Sequence, residues 1–208
     1  MIRNVVFDMG NVLIAFDPDM FMDQEGITDP EDRRIIFREL FHSVEWAQMD
    51  LGVLTEQTAE PLVLKRIPAC LAEKASHLLT HWWEKRVCIA GMEELLRELK
   101  ESGYRLYLLS NASVSQHLYW PGFEMSRLFD GKLISCDHGV VKPNPAIYRL
   151  MTDRFGLVPG ECLFIDDQPA NAAAAVQCGW SAIVFQGDSE ELKKKMTLYG
   201  IEVKRCNA

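Results

Sequence analysis

From Gly91 onward the sequence repeats one pattern, an amphipathic helical stretch, a glycine, and then a short run of β-branched or aromatic residues. "GMEELLRELKESG" reads as a helix closed by Gly103, and "YRLYLLS" as a strand that ends at Ser110. "KLISCD" is a further strand, "NPAIYRLMTDRFG" a helix, "ECLFIDD" a strand ending in paired aspartates, and "PANAAAAVQCG" a helix stopped by Gly179. "SAIVFQ" and "SEELKKKMTLYG" supply a last strand and a closing helix. Strands alternating with helices of this length predict an α/β fold with a parallel sheet covered on both faces.

The chain opens with another strand. Val5, Val6 and Phe7 suit a buried β-run, and Asp8 follows with no polar lead-in. Gly10 and Asn11 tolerate left-handed backbone, so a sharp turn can present Asp8 at the carboxyl edge of the sheet. From about Asp17 to Val87 helical signals dominate. "DPEDRRIIFRELF" offers Asp29 as N-cap and Pro30 as first helical residue, with Ile35, Ile36, Leu40 and Phe41 at helical spacing. This is a helical block inserted between strands.

At 208 residues there is room for one sizeable core, or a core plus a smaller insert. A formal net charge of −8 argues against nucleic-acid binding, which needs a basic patch. Lys193 to Lys195 lie beside Glu190 and Glu191 and read as a solvated helix face. No stretch is long and apolar enough to span a bilayer, and no signal-peptide pattern precedes the first strand, so a cytoplasmic protein without membrane partners is expected. Six cysteines without a CxxC pair predict reduced, mostly buried thiols rather than disulfides or a zinc site. A monomer or a homodimer is expected.

Open parallel sheets bind ligands at the carboxyl ends of their strands. Asp8, Ser110 with Asn111, and Asp166 with Asp167 stand at three such ends, and Lys142 lies in the turn "VVKPNP" before a helix. These groups suit a phosphate ester. Asp8 and Asp166 are hard oxygen ligands for Mg²⁺, while Ser110, nearby backbone amides and Lys142 can hold phosphoryl oxygens. Asp8 can attack phosphorus to give an aspartyl-phosphate that water later hydrolyses.

In this order the motifs "VVFDMGNVL", "LLSNAS", "VVKPNPAIY" and "FIDDQPAN" resemble the haloacid dehalogenase-like hydrolase superfamily over nearly the whole chain. The resemblance implies a Rossmann-like parallel sheet core, residues 1–16 and 88–208, with an inserted helical cap of the C1 type, residues 17–87. It implies Asp8 as nucleophile, Mg²⁺ held by Asp8, the Gly10 backbone carbonyl and Asp166, phosphate held by Ser110 and Asn111, Lys142 steadying the phosphoryl charge, and Asp167 in support. "SNASVSQHLYWPGF" and "SCDHGVVKPNPAIY" are most similar to the subgroup with sugar-1-phosphate phosphatases and the N-terminal domain of soluble epoxide hydrolases. The expected activity is a Mg²⁺-dependent phosphatase for a small phosphorylated metabolite, with sugar phosphates first among the candidates. In the cap loop "MDLGVLT", Leu51 and Val53 stand where such phosphatases carry polar residues, which argues against a strongly polar sugar.

One departure matters for chemistry. Most phosphatases of the superfamily carry a second aspartate two residues after the nucleophile, as proton donor to the leaving group; here that place is Gly10. Either the leaving group needs little help, or another acid stands in, with Asp17 and His117 as candidates, or the chain does not turn over phosphate esters. The alternatives are a non-catalytic phosphate- or metabolite-binding module and a metal-independent dehalogenase-type hydrolase. Paired carboxylates at Asp166 and Asp167 favour the metal-dependent phosphatase, since adjacent charges need a compensating cation. His77 and His81 share a helix face without a third ligand in view and read as surface or cap-packing residues, Trp46 stands equally for pocket wall or cap core, and at least one of Trp82 and Trp83 is expected to pack the cap.

Overall fold

The computed structural model describes residues 1–203. Strands β1 (Asn4–Phe7), β2 (Arg105–Ser110), β3 (Gly131–Ile134), β4 (Cys162–Asp166) and β5 (Ser181–Val184) form one all-parallel sheet in the order β3-β2-β1-β4-β5. Central β1 places Val5 between Leu106 and Leu163, and Phe7 between Leu108 and Ile165. All of β1 is buried, as an apolar run flanked on both sides by strands must be. Residues 204–208 of the expected core segment lie outside the described residues, and so does the sixth cysteine, Cys206.

Two layers of helix cover the sheet. On one face lie α6 (Met92–Glu101) and α10 (Ser189–Thr197), and on the other α8 (Pro145–Phe155) and α9 (Pro169–Gln177). Met92, Leu95, Leu96 and Leu99 of α6 sit at helical spacing and bury one stripe against Val5, Phe7, Leu106 and Leu108. Each such aliphatic side chain contributes roughly 1.5–3 kcal/mol on burial. On the opposite face Ile147, Tyr148 and Met151 of α8 meet Val6, Leu109 and Phe164. The alternation of strand residues between two cores is the period-two rule of the pleat.

Between β1 and β2, helical elements fill residues 18–85. They are α1 (Pro18–Gln24), α2 (Pro30–Ile36) continued by a π-turn at Phe37–Phe41, α3 (Val44–Asp50), α4 (Glu56–Leu64) and α5 (Ala72–His81), with a last 3₁₀ turn at Trp82–Lys85. Asp29 caps α2 as the sequence predicts, and Asp17, Ser43 and Thr55 cap α1, α3 and α4 in the same way. The insert has its own core, built on Phe21, Ile36, Leu40, Met49, Val63, Leu78 and Leu79. Its two ends leave the sheet side by side: Ala15 N–H donates to the Val87 carbonyl at 2.8 Å, and Ile89 N–H donates to Leu13 at 2.9 Å.

A short helix α7 (Gln116–Tyr119) follows the loop after β2. No described helix is long and apolar enough to cross a membrane. The described cysteines are free, but only Cys162 is fully buried, while Cys70 and Cys88 are exposed. The expectation of mostly buried thiols fails because these two sit in the 3₁₀ turn Ala69–Leu71 and at the isolated bridge Ile14–Cys88, outside the core clusters.

Candidate active site

β1 ends at Phe7, yet the Asp8 amide still donates to the Ile165 carbonyl at 2.9 Å, so the sheet holds this backbone while the carboxylate projects beyond the strand. The chain then turns tightly, with the Leu13 and Ile14 amides returning to the Met9 carbonyl. Asn11 takes the left-handed conformation at φ 54°, and its side-chain oxygen accepts from the Phe16 amide at 2.9 Å. Gly10 stays out of the left-handed region, and a Cβ added there would meet nothing nearer than Phe16 Cβ at 3.6 Å. Among the described residues no donor takes the Gly10 carbonyl.

Lys142 joins the strand ends. Its Nζ lies 2.6 Å from Asp8 Oδ1 and 2.8 Å from Asp166 Oδ2, with 1% of the side chain exposed. Asn111 fixes the lysine's backbone: its Oδ1 accepts from the Lys142 amide at 2.8 Å and its Nδ2 donates to the Lys142 carbonyl at 3.0 Å. This engages both ends of the Asn111 amide, while Ser110, buried at the end of β2, lines the same cavity as Asp8. Burial drives the Asp8 carboxyl up and Lys142 opposes the rise; the two carboxylates in turn overcome desolvation and hold the Lys142 ammonium above its ordinary value. The lysine therefore stays charged.

Asp8, Asp166 and Asp167 offer carboxylate oxygens within 4.8 Å of one another. The shared partner of Asp8 and Asp166 is the single charge of Lys142, so the trio carries surplus negative charge that a divalent cation would neutralise. The donor set, three carboxylates beside an unengaged Gly10 carbonyl, fits Mg²⁺. Hydrogen bonding separates the paired aspartates. Asp166 accepts from Lys142, from the Gln168 amide at 2.8 Å, and from Asn171 Nδ2 on both oxygens at 3.0 and 3.1 Å. Asp167 accepts on Oδ2 alone, from Gln168 at 2.7 Å and Asn11 at 3.5 Å. The sequence points to Asp166 for metal and Asp167 for support, whereas in the fold Asp167 has the freer oxygen.

Above this floor is a cavity of about 240 Å³. The insert roofs it with Trp46, Met49, Leu79 and Trp82, joined by Phe16 and by Tyr119 from α7. Phe16 packs edge-on against Trp82 at 5.1 Å between ring centres and leans on Trp46 at 5.8 Å. Aromatic rings in such clusters hold each other's orientation as well as burying area. The site is thus polar below and aromatic above, with one ionisable group from the insert, Asp50, at its wall.

A family model described as haloacid dehalogenase-like hydrolase matches residues 2–179, from β1 through α9. The chain belongs to this family. Among its relatives is the chloroplastic flavin mononucleotide hydrolase 1 of Arabidopsis thaliana, 24% identical over 79% of this chain, which spans 66% of that protein's length. D-ribitol-5-phosphate phosphatase of Bacteroides thetaiotaomicron is 25% identical, over 86% of this chain and 90% of its own. In fold the chain matches a family enzyme of Bacteroides thetaiotaomicron in complex with magnesium and inorganic phosphate, with a TM-score of 0.74 and 23% identity, covering 92% of this chain and 99% of that one.

In this haloacid dehalogenase-like hydrolase, several residues singled out by sequence stay away from the cavity. Asp17 is occupied as the N-cap of α1, accepting from the Asp19 and Met20 amides. His117 pairs with Asp137 at 2.9 Å and does not line the cavity; Asp137, which from its place before the Lys142 turn is expected to hydrogen-bond that turn, is taken up by this histidine. His77 is tied to Glu25 at 3.1 Å and stacks on His81. Trp82 lines the cavity and Trp83 does not, although both rings meet Tyr119, Trp82 edge-on and Trp83 stacked. Leu51 and Val53 do not line it either; from that loop Met49 and Asp50 do, and the sequence signal for Asp50 is an acid two residues before a glycine turn. Asn171, which by its place one turn beyond Asp167 is expected to order that loop, does so through Asp166, whereas the positioning roles of the Asn11 and Ser135 side chains have no signal in the sequence.

Proposed function

We propose that this protein is a Mg²⁺-dependent phosphatase that hydrolyses a small phosphate monoester through an aspartyl-phosphate on Asp8. The observation that carries the reading is the Lys142 ammonium shared between Asp8 and Asp166 on the floor of a roofed cavity. An anionic nucleophile beside a fixed cation is the arrangement that attack on an anionic phosphoryl group needs. Asp8 attacks phosphorus as the ester oxygen leaves; water then attacks the aspartyl-phosphate and releases orthophosphate and Asp8. Lys142, the Ser110 hydroxyl and the backbone amides beyond β2 hold the phosphoryl oxygens. Asp8, the Gly10 carbonyl and Asp167 would hold the cation, with Asp166 beside them anchoring Lys142. Mg²⁺ bound there supplies charge neutralisation for the phosphoryl group.

Residues 17–87 are the cap, which excludes water and selects the organic part of the substrate. An aromatic roof suits a flat or apolar leaving group better than a naked sugar, which would leave its hydroxyls unpaired against Trp46, Met49, Leu79 and Trp82. We place the protein in the cytoplasm, in keeping with the free cysteines among the described residues.

The test is phosphate release from phosphorylated metabolites and aryl phosphates, with Mg²⁺ or EDTA, in the native protein and in Asp8→Asn. The expected result is metal-dependent release that Asp8→Asn abolishes. Release that survives EDTA and is lost in Asp8→Asn moves the assignment to the metal-independent branch. Binding of phosphate without release from any ester leaves a binding module.

A further inference from the structure

A phosphate monoester expels an alkoxide, and the oxygen that departs needs a proton unless it is already a weak base. Few groups in the cavity can supply one. Asp8 and Asp166 are bound to Lys142, which is spent between them, and Asp167 lies on the same floor, beneath the phosphoryl group rather than beyond it. Tyr119 lines the wall, but burial, reinforced by Asp50 and Glu56, pushes its phenol far above neutrality, too high for efficient proton transfer. That leaves Asp50.

Asp50 is the last residue of α3 and lines the cavity from the side of the insert, where the leaving group must lie. Among the described residues no hydrogen bond or ion pair reaches its carboxylate, whereas its backbone is firmly fixed. The Ser135 hydroxyl donates to the Asp50 carbonyl at 2.6 Å, and Ser135 also accepts from the Ala112 amide at 3.0 Å, joining the phosphate-side loop to the end of α3. The next turn passes through Gly52 at φ +71°, pressed so closely on the Cys136 carbonyl that an added Cβ would lie 2.0 Å from its oxygen. Glu56, at the start of α4, receives the Ser113 hydroxyl from the same core loop. The cap thus rests on the core at the point where Asp50 enters the cavity, with a fixed main chain and an unpartnered acid.

We propose that Asp50 is the proton donor of the reaction, delivered to the leaving oxygen from the cap, and that it serves as the base for water in the second half. As the bond from phosphorus to the ester oxygen breaks, that oxygen takes the Asp50 proton and leaves as the neutral alcohol. The Asp50 carboxylate then takes a proton from the water that attacks the aspartyl-phosphate, which restores both aspartates. The protonation this requires agrees with the surroundings. Burial pushes the Asp50 carboxyl up to about 7; Lys142 opposes the rise, and Asp8 and Glu56 add to it. The inference rests on the phosphatase reading and names the acid that Gly10 does not supply.

The experiment compares the full chain with Asp50→Asn and Asp50→Glu on 4-nitrophenyl, phenyl and benzyl phosphate, whose leaving oxygens grow progressively more basic. In Asp50→Asn, kcat/KM, which reports departure of the alcohol and not the later hydrolysis of the aspartyl-phosphate, falls by about 10²–10⁴-fold on benzyl phosphate and by no more than about tenfold on 4-nitrophenyl phosphate, so the dependence on leaving-group basicity steepens. Asp50→Glu, which keeps an ionisable acid, recovers part of the benzyl phosphate rate. Equal losses in kcat/KM on all three esters with no recovery in Asp50→Glu, or no loss at all, overturn the assignment. A native protein active on 4-nitrophenyl phosphate alone has no working donor, which overturns it too while leaving the phosphatase reading intact. A native protein inactive on every ester removes both.

Discussion

Lys142 is buried as a cation between two carboxylates, and the three charges form one unit. Removing one member of such a group leaves its partners uncompensated in a low-dielectric site. Lys142→Met therefore destabilises the metal-free protein by about 3–5 kcal/mol, and the double variant Lys142→Met/Asp8→Asn regains part of that loss, both read by urea denaturation. Asp8, Ser110, Lys142 and Asp166 were legible in the sequence because strand ends of a parallel sheet face one edge, so their convergence follows from topology. Asp50 was not, since a residue at the end of a helix reaches the cavity only through how the insert leans on the sheet, and no periodicity carries that information. Asn111 shows the same limit from the other side: its position was readable, but its grip on the Lys142 backbone depends on the two loops meeting.

Among the elements, α3 and α4 are held together by Arg66, which reaches Glu45 at 2.6 Å and Glu39 at 2.8 Å. Glu45 is nearly buried at 8% side-chain exposure and Arg66 is 38% exposed, so solvent screens part of the attraction. Hydrogen bonding from Arg66 holds the Glu45 carboxyl below its ordinary value. The folded protein therefore keeps this carboxylate ionised at a pH where the unfolded chain would protonate it. Its contribution is complete above the ordinary glutamate pKa and is lost as pH falls through the lowered folded value. Glu45→Gln is expected to cost about 1 kcal/mol at neutral pH, with the gap to the native protein closing under acid, as measured by melting temperature across pH. Capping residues and apolar spacing marked the helices of the insert well, Asp29 and Pro30 among them. They did not show the π-turn at Phe37–Phe41 that redirects the chain after α2, which answers to packing of Leu40 and Phe41 in the insert's core rather than to local propensity.

For the whole molecule, the α/β class and the parallel sheet followed from the order of helix and strand, while the seating of the insert on the sheet had to come from the fold. That seating is concentrated at Gly52. Gly52→Ala adds left-handed strain of about 1–3 kcal/mol and a clash with the Cys136 carbonyl, while Gly139→Ala, at φ +63° with its nearest neighbour 4.0 Å away, adds the strain alone. The melting temperature should fall further in Gly52→Ala, and KM should rise in that variant only, because the clash pries the roof from the floor.

The paired backbone segments at Ala15–Val87 and Leu13–Ile89 bring both ends of the insert to one point beside the sheet. A module spliced in this way can be lengthened, trimmed or replaced without altering the path of any strand. On the proposed function, the groups that break the bond and those that choose the substrate then lie on separate pieces of the sequence. Only Asp50, if it donates the proton, would make one piece depend on the other, so that changing what this enzyme accepts would also change how it lets go.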